Sequence, residues 1–341
     1  LTKNTYIEIY LIIGIILYVA IVLDILQTTL SMQGGGWLTS RFSHFFWKFL
    51  LLISGRNGNS KLLAHAGYFL LISIVLIWVF FLWASMVFIL YSSPGSIIDS
   101  TTKIPAGFWQ ITYYSGFTVS TLGMGDYVAS TDLWRVLTTI YSFTGLILLT
   151  MSVTYFIPVL SAVIDQRKLG ISLSTLGSSP EEIVMSAWNG ENFDRLTGKI
   201  DEISDSIIKY SQQYRAYPVI HYFHNNKGKN AIILQLARLY EALLIISDQI
   251  KEEFRPDSKD IKPLIVAYDN YFEVIAEVTH MRLLPSGPPA STTHRLLEKE
   301  LILENFDTDG FSAKVSKNRL FFKTLVRQEG WNWEHVDTKY S

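Results

Sequence analysis

Residues 118–126 read T-V-S-T-L-G-M-G-D. Gly123 and Gly125 stand at alternate positions, and glycine takes left-handed dihedrals that other residues avoid. An extended chain built with them can point successive carbonyls the same way. Carbonyls aimed at a common axis replace the water shell of a monovalent cation. Thr121 adds a hydroxyl at the base of the string, and Asp126 closes it.

Such a string needs elements that hold it, and the composition points to a membrane. Of 341 residues, 49% are hydrophobic and only 17% charged, because charge is concentrated outside a few long apolar runs. The net charge of −1 gives no global field for nucleic acid. The absence of cysteine excludes disulfides and thiol chemistry. Spanning a bilayer takes about 20 apolar residues. Three segments reach that length, roughly residues 6–30 (interrupted by Glu8 and Asp24), 63–91 and 133–164. The first is too long for a signal-peptide core and lacks a small-residue cleavage site, so a retained helix is expected. Residues 105–119 are too few to span. A re-entrant helix and loop fits there, since non-helical backbone at membrane depth must line a water path or be buried in protein.

Basic residues set the expected orientation. Arg41, Lys48, Arg56 and Lys61 follow the first span, and Arg167 and Lys168 follow the third. The connection holding the glycines has Lys103 and Arg135 against Asp99, Asp126 and Asp132. The positive-inside rule then places residues 31–61 and the C-terminal part in the cytoplasm, with the N-terminus and the mouth of the string outside. Asp24 falls near the inner end of the first span and is expected to reach the interface. In residues 37–53, Arg41, His44 and Lys48 share a helical face among aromatics, which predicts an amphipathic helix on the inner membrane surface.

Pro105 suits a first helical turn. A short helix over 108–116 would aim its partially negative C-terminal end at a central cation. Tyr113 and Tyr114 fall where they could brace the string. The third span carries Thr138, Thr139, Ser142, Thr144, Thr150, Ser152, Thr154 and Ser161, with no ionised group between Arg135 and Asp165. These hydroxyls can line a wet cavity or serve close helix packing. Gly145 and Pro158 both permit a bend and are the candidate gate hinges.

The order of outer helix, short pore helix, T-x-x-T-x-G-x-G-D and inner helix with a mid-span glycine resembles the tetrameric potassium channels. The match is closest to the bacterial type with two membrane helices per subunit, and covers roughly residues 63–168. Their filter reads T-V-G-Y-G or T-I-G-F-G; here it is Thr121-Leu122-Gly123-Met124-Gly125. The departure is Met124, where the family has an aromatic. The resemblance implies that carbonyls of Thr121, Leu122, Gly123 and Met124 coordinate K+, supported by Gly125, Asp126, Tyr113, Tyr114 and Thr118. It also implies four identical subunits in a bilayer, K+ ions as the only cofactor, and no organic cofactor or nucleic acid.

The expected fold class is an all-α membrane protein with a potassium-channel pore and a mostly helical cytoplasmic domain. The expected divisions are 1–30 (extra span), 31–61 (connection), 62–168 (pore), 169–179 (linker) and 180–341 (regulatory domain). Helices are predicted near 180–188, 192–216, 229–254, 259–284, 291–305 and 313–328, with Ser179 as a cap. No span carries arginines at every third position, so a voltage sensor is not expected. No G-x-G-x-x-G follows a strand, and no β-rich cyclic-nucleotide domain is evident. Residues 305–310 resemble the start of a calcium loop, but position twelve is Ser316 rather than Glu, so a plain turn is favoured. His221 and His224 would share a face of a helix, as a metal or pH sensor or as a buried junction. H-E-x-x-H, P-loop and G-x-S-x-G motifs are all missing, which predicts a non-enzyme. The expected function is passive K+ conduction in a bacterial plasma membrane, gated by the cytoplasmic domain and any ligand it holds. The alternatives are a nonselective monovalent cation channel and a membrane-anchored receptor with a non-conducting pore scaffold.

Overall fold

A computed structural model describes residues 3–31, 34–279, 281–303 and 312–337, with side chains from Glu8 onward. The chain is an all-α membrane protein. Among the described residues, three helices are long and apolar enough to cross a bilayer: α1 (Lys3–Leu30), α4 (Ala66–Tyr91) and α6 (Asp132–Ser174). Between α1 and α4 lie α2 (Trp37–Ile53) and the single turn α3 (Lys61–Ala64), whose N-cap is Ser60. The second span therefore begins at Ala66 rather than near residue 63, after a break at His65. Two compact units are present, residues 1–44 with 69–158 and residues 45–68 with 159–341.

In the first unit, α5 (Phe108–Val119) is the short helix expected before the glycines. Pro105 is not in its first turn. It pairs with Ile98 in an isolated bridge, Ala106 N–H donates to the Ile97 carbonyl (2.9 Å), and Gly107 is the N-cap. The cause is a short ribbon that the hydropathy pattern did not show. Strand β1 (Ile97–Asp99) pairs antiparallel with β2 (Tyr127–Ala129), Ile97 opposite Ala129. It holds the chain extended up to Gly107 and ties the entry of α5 to the exit of the glycine string.

Asp24 does not reach for the interface. It is buried, and its carboxyl accepts from Trp78 Nε1 (2.9 Å), from the Leu38 and Thr39 backbone N–H groups (2.8 and 3.2 Å) and from Thr39 Oγ1 (2.5 Å). The reason is local. The first turn of α2 has N–H groups with no partner inside the helix, and no side chain of α2's own N-terminus satisfies those two. A Cβ at Gly36 would collide with the Asp24 carboxyl, so a glycine is required at that approach. Along α1, Gly14 lies so close to α4 that a Cβ would stand 2.9 Å from the Ser85 carbonyl oxygen. Tyr18 hydrogen-bonds Thr144 of α6 (2.9 Å). The extra span is thus fixed to both other membrane helices.

In the second unit, α6 runs on to Ser174, so the expected linker shrinks to residues 175–179. Leu169 and Leu173 are buried on one face, and Gly170 fits under the Asn230 carbonyl, which keeps the helix going where a linker was expected. Then come α7 (Pro180–Ala187), capped by Ser179 as expected, α8 (Asp194–Thr197) and α9 (Ile200–Ala216). Gly198 divides the expected 192–216 helix. The predicted 229–254 helix is also divided. A 3-10 turn precedes the wholly buried α10 (Ile232–Leu244), a π turn (Ile245–Gln249) follows, and a 3-10 turn ends it. The remaining helices are α11 (Ser258–Thr279), α12 (His294–Glu298), α13 (Ala313–Gln328) and the unexpected α14 (Glu334–Asp337). Residues 304–311, with the calcium-like string, lie outside the described residues. In the core, Arg319 of α13 pairs with Glu241 of α10 in a buried bidentate bridge (2.8 and 3.0 Å). Arg238 donates to the Val336 and His335 carbonyls (3.1 and 2.6 Å), which holds α14.

Removing the Asp24 carboxyl would leave Trp78 and the first turn of α2 without acceptors. Asp24→Ala is expected to cost about 2–4 kcal/mol, read as a lowered unfolding midpoint of the detergent-solubilised protein. Asp24→Asn, which keeps one acceptor oxygen, should lose less.

Candidate functional site: the pore segment

Helix α5 ends at Val119, and its last carbonyls are quickly used. Ser120 N–H donates to Gly116 O (3.1 Å), Thr121 N–H to Thr118 O (3.0 Å) and Leu122 N–H to Phe117 O (2.8 Å). After that the backbone changes hand at every second residue. Thr121, Gly123 and Gly125 have φ of +61°, +60° and +82°, while Leu122 and Met124 have negative φ. This alternation undoes the usual reversal of successive peptides in an extended chain and turns their carbonyls to one side. Thr121 holds a left-handed conformation without the freedom of glycine, which costs of order 1–3 kcal/mol and persists only where the surroundings impose it. Among the described residues, no hydrogen bond ends on the carbonyls of Thr121 through Gly125. Five exposed acceptors in sequence are what a desolvating cation needs.

The surroundings that impose this are specific. Ser142 Oγ donates to the Thr118 carbonyl (3.0 Å) and so anchors the end of α5 to α6. The Tyr114 hydroxyl pairs with Thr138 Oγ1 (2.9 Å). Tyr113 interacts with the Asp126 carboxylate and packs edge-on against Tyr127. Trp83 Nε1 donates to the Thr112 carbonyl (2.9 Å). Beyond the string, Ser100 N–H holds the Asp126 carbonyl (2.8 Å). Behind it lies a cleft of about 510 Å³ lined by Thr118, Thr121, Gly123, Gly125, Tyr127 and Arg135 among others.

Residues 67–162, which include α5, the glycine string and most of α6, match the family model described as an ion channel. A Bacillus subtilis (strain 168) protein named "Uncharacterized membrane protein YdjJ" is 34% identical over 288 residues, covering 84% of each chain. The chain belongs to the same family of membrane proteins. No solved structure matches. The alignment of 288 residues with that relative is longer than the channel match and so extends beyond it.

The other expected site residues fall in different places. Gly145 is packed, not free. A Cβ there would collide with the Val119 carbonyl oxygen at the end of α5. Pro158 lies inside α6, and the helix runs without interruption through it. Of the α6 hydroxyls, Thr138, Ser142 and Thr144 bond across to other elements or serve close packing, while Thr139, Thr150, Thr154 and Ser161 are exposed. His221 and His224 do not share a helical face, because the 3-10 helix Pro218–Tyr222 ends between them. His221 packs among Trp47, Tyr214 and Tyr222. His224 is buried against Trp331 with Nε2 2.6 Å from the Gly58 carbonyl, and burial lowers its pKa below the usual histidine value. Among the described residues, no group of three or more His, Asp or Glu could hold a metal.

In an exposed helix, Gly→Ala stabilises by roughly 0.5–1 kcal/mol. At Gly145 the sign should reverse. Gly145→Ala is expected to destabilise by about 1–3 kcal/mol through overpacking against Val119, measured by thermal unfolding of the purified protein.

Proposed function

We propose that the chain is one subunit of a potassium-selective channel, with K+ held by the carbonyls of Thr121, Leu122, Gly123 and Met124. The observation that carries this is the alternation of hand at Thr121, Gly123 and Gly125, with no carbonyl between them paired among the described residues. One such strand cannot surround an ion, so four copies close a ring about the axis. Leu122 and Met124 support this, being 67% and 58% exposed in the single chain with apolar side chains that a neighbouring subunit would cover. Gly125, Asp126, Tyr113, Tyr114 and Thr118 keep the strand in place. The basic residues put the mouth outside and the C-terminal unit in the cytoplasm, in a bacterial plasma membrane. Gating falls to that unit and whatever binds it, because the spans lack an arginine repeat.

Met124 favours a second reading, a nonselective monovalent cation pore. A flexible thioether with no hydroxyl braces the strand less than an aromatic. A receptor with a silent pore scaffold is disfavoured by the unpaired carbonyls.

Recording in a planar bilayer with K+ on one side and Na+ on the other decides among the three. A reversal potential that follows the K+ gradient supports the proposal. One near zero favours the nonselective pore, and no current under any condition favours the scaffold. Gly123→Ala places a side chain at φ +60° and should reduce current at least about tenfold, as an unfavourable left-handed residue costs roughly 1–2 kcal/mol. A native mass of four subunits is expected.

A further inference from the structure

The last turns of α6 face a second concentration of polar side chains, remote in sequence from the pore segment. Glu329 is the C-cap residue of α13, and its carboxyl is buried. Among the described residues, no side-chain or backbone donor hydrogen-bonds it. His224 Nδ1 stands 4.0 Å from its Oε2. His224 Nε2 faces the Gly58 carbonyl, so that nitrogen carries the ring hydrogen. Nδ1 is left as a buried acceptor without a partner. From α6, Gln166 Oε1 and Arg167 Nε are also buried and without partners, although the Arg167 Nη2 reaches the Tyr68 hydroxyl (3.3 Å). Gln166, Arg167, Asn225, Asn230 and Glu329 line one small cavity, with about 10 Å³ open to the centre of a water molecule. That is room for a single water.

Native proteins leave few buried polar groups unsatisfied, and those they leave call for an explanation. Here three such atoms, Gln166 Oε1, Arg167 Nε and His224 Nδ1, lie about the buried Glu329 carboxyl. We propose that Glu329, His224 and Arg167 form a proton-binding site through which loss of the Glu329 proton acts on the inner helix α6.

The groups facing Glu329 are His224, the Tyr210 and Tyr214 hydroxyls from α9, the Tyr271 hydroxyl from α11 and, across the cavity, Arg167. Beyond Gln213 lies the Asp165–Lys209 pair (2.9 Å). The tyrosines are themselves held protonated by burial, so they supply no cation. Burial pushes Glu329 up to about 8. Near neutral pH the site is therefore a neutral acid beside a neutral imidazole. When Glu329 releases its proton to solvent, a carboxylate appears in a cavity with room for a single water, and the guanidinium in its lining is Arg167. Arg167 moves toward it, and Arg167 belongs to the inner helix. His224 cannot absorb the proton cheaply, because burial disfavours its imidazolium.

The sign of the stability effect follows. The folded chain keeps a proton that the unfolded chain loses above about 4.5, so stability falls as pH rises from about 4.5 to about 8 and then levels off. The proton site stands without the channel reading; its action on flux rests on that reading.

The test uses the full chain, wild type and Glu329→Gln, an isosteric change that keeps the volume of the side chain. Infrared spectra titrated from pH 6 to about 10 should show a carboxylic-acid carbonyl band that disappears in wild type with a midpoint near 8 and is missing in the variant. Arg167→Gln should keep the band and move its loss to higher pH. Reconstituted vesicles loaded with K+ should show a flux that changes with internal pH about the same midpoint. The change is expected to be about tenfold for each unit by which the Glu329 pKa differs between open and closed states. Glu329→Gln should be flat. Lack of the acid band, or a band unchanged in Glu329→Gln, overturns the proton site. A titrating band with pH-independent flux overturns its action on the inner helix. Vesicles that pass no K+ at any pH refute the channel reading and with it that action, while the band still decides the site.

Discussion

A run of backbone carbonyls without hydrogen-bond partners among the described residues is the constraint around which the first unit is built. Buried peptide groups are almost always paired, and at membrane depth water does not substitute unless a path admits it. Leaving the carbonyls of Thr121 through Gly125 open therefore requires that everything nearby be closed. The end of α5 is satisfied by Ser120, Thr121, Leu122 and the Ser142 hydroxyl. The exit is held by the ribbon of β1 and β2 and by the Ser100 contact to Asp126. Gly145 lets α6 come close enough for Ser142 to reach Thr118. The open carbonyls and the closed collar are two sides of one arrangement.

Asp24 plays the corresponding part away from the pore segment. An acidic residue in an apolar helix is costly unless donors surround it, and here donors from two other helices do. Trp78 comes from α4, and Leu38 and Thr39 from the first turn of α2. The same side chain thus sets the angle at which the chain leaves α1 and enters α2, and fastens that corner to α4. Together with Gly14 and Tyr18 it explains how a span outside the two-helix pattern is integrated rather than appended.

Much of this was legible in the residues. The three spans, the short α5, the Trp37–Ile53 helix and the Ser179 cap follow from hydropathy, length and capping chemistry. What was not legible depends on partners far away in sequence. The ribbon of β1 and β2 is only three residues per strand, too short for a period to show. Asp24 looked like an interfacial acid because its donors lie 14, 15 and 54 residues away. A turn at Gly198 and a π turn at Ile245–Gln249 divide the helices predicted over 192–216 and 229–254, and an apolar stripe does not reveal either. At 169–174 glycine and serine suggest a linker, but the buried Leu169 and Leu173 keep α6 helical to Ser174. Within the pore segment, composition located the alternation at Gly123 and Gly125. It did not announce that Thr121 would share the left-handed conformation. In sequence Glu329 is one acid among many, and nothing in its neighbours signals burial.

The extension of α6 to Ser174 has a mechanical meaning. A 43-residue helix is about 64 Å long, roughly twice the hydrocarbon thickness. A flexible tether would transmit tension alone, and would be indifferent to which way round its far end is turned. A continuous helix also transmits torsion. Its length and its phase are locked together, at about 1.5 Å and 100° per residue. Arg167, Gly170 and Leu173 are therefore fixed in azimuth as well as in height along the last turns of α6, an orientation that a tether of the same span would leave undefined.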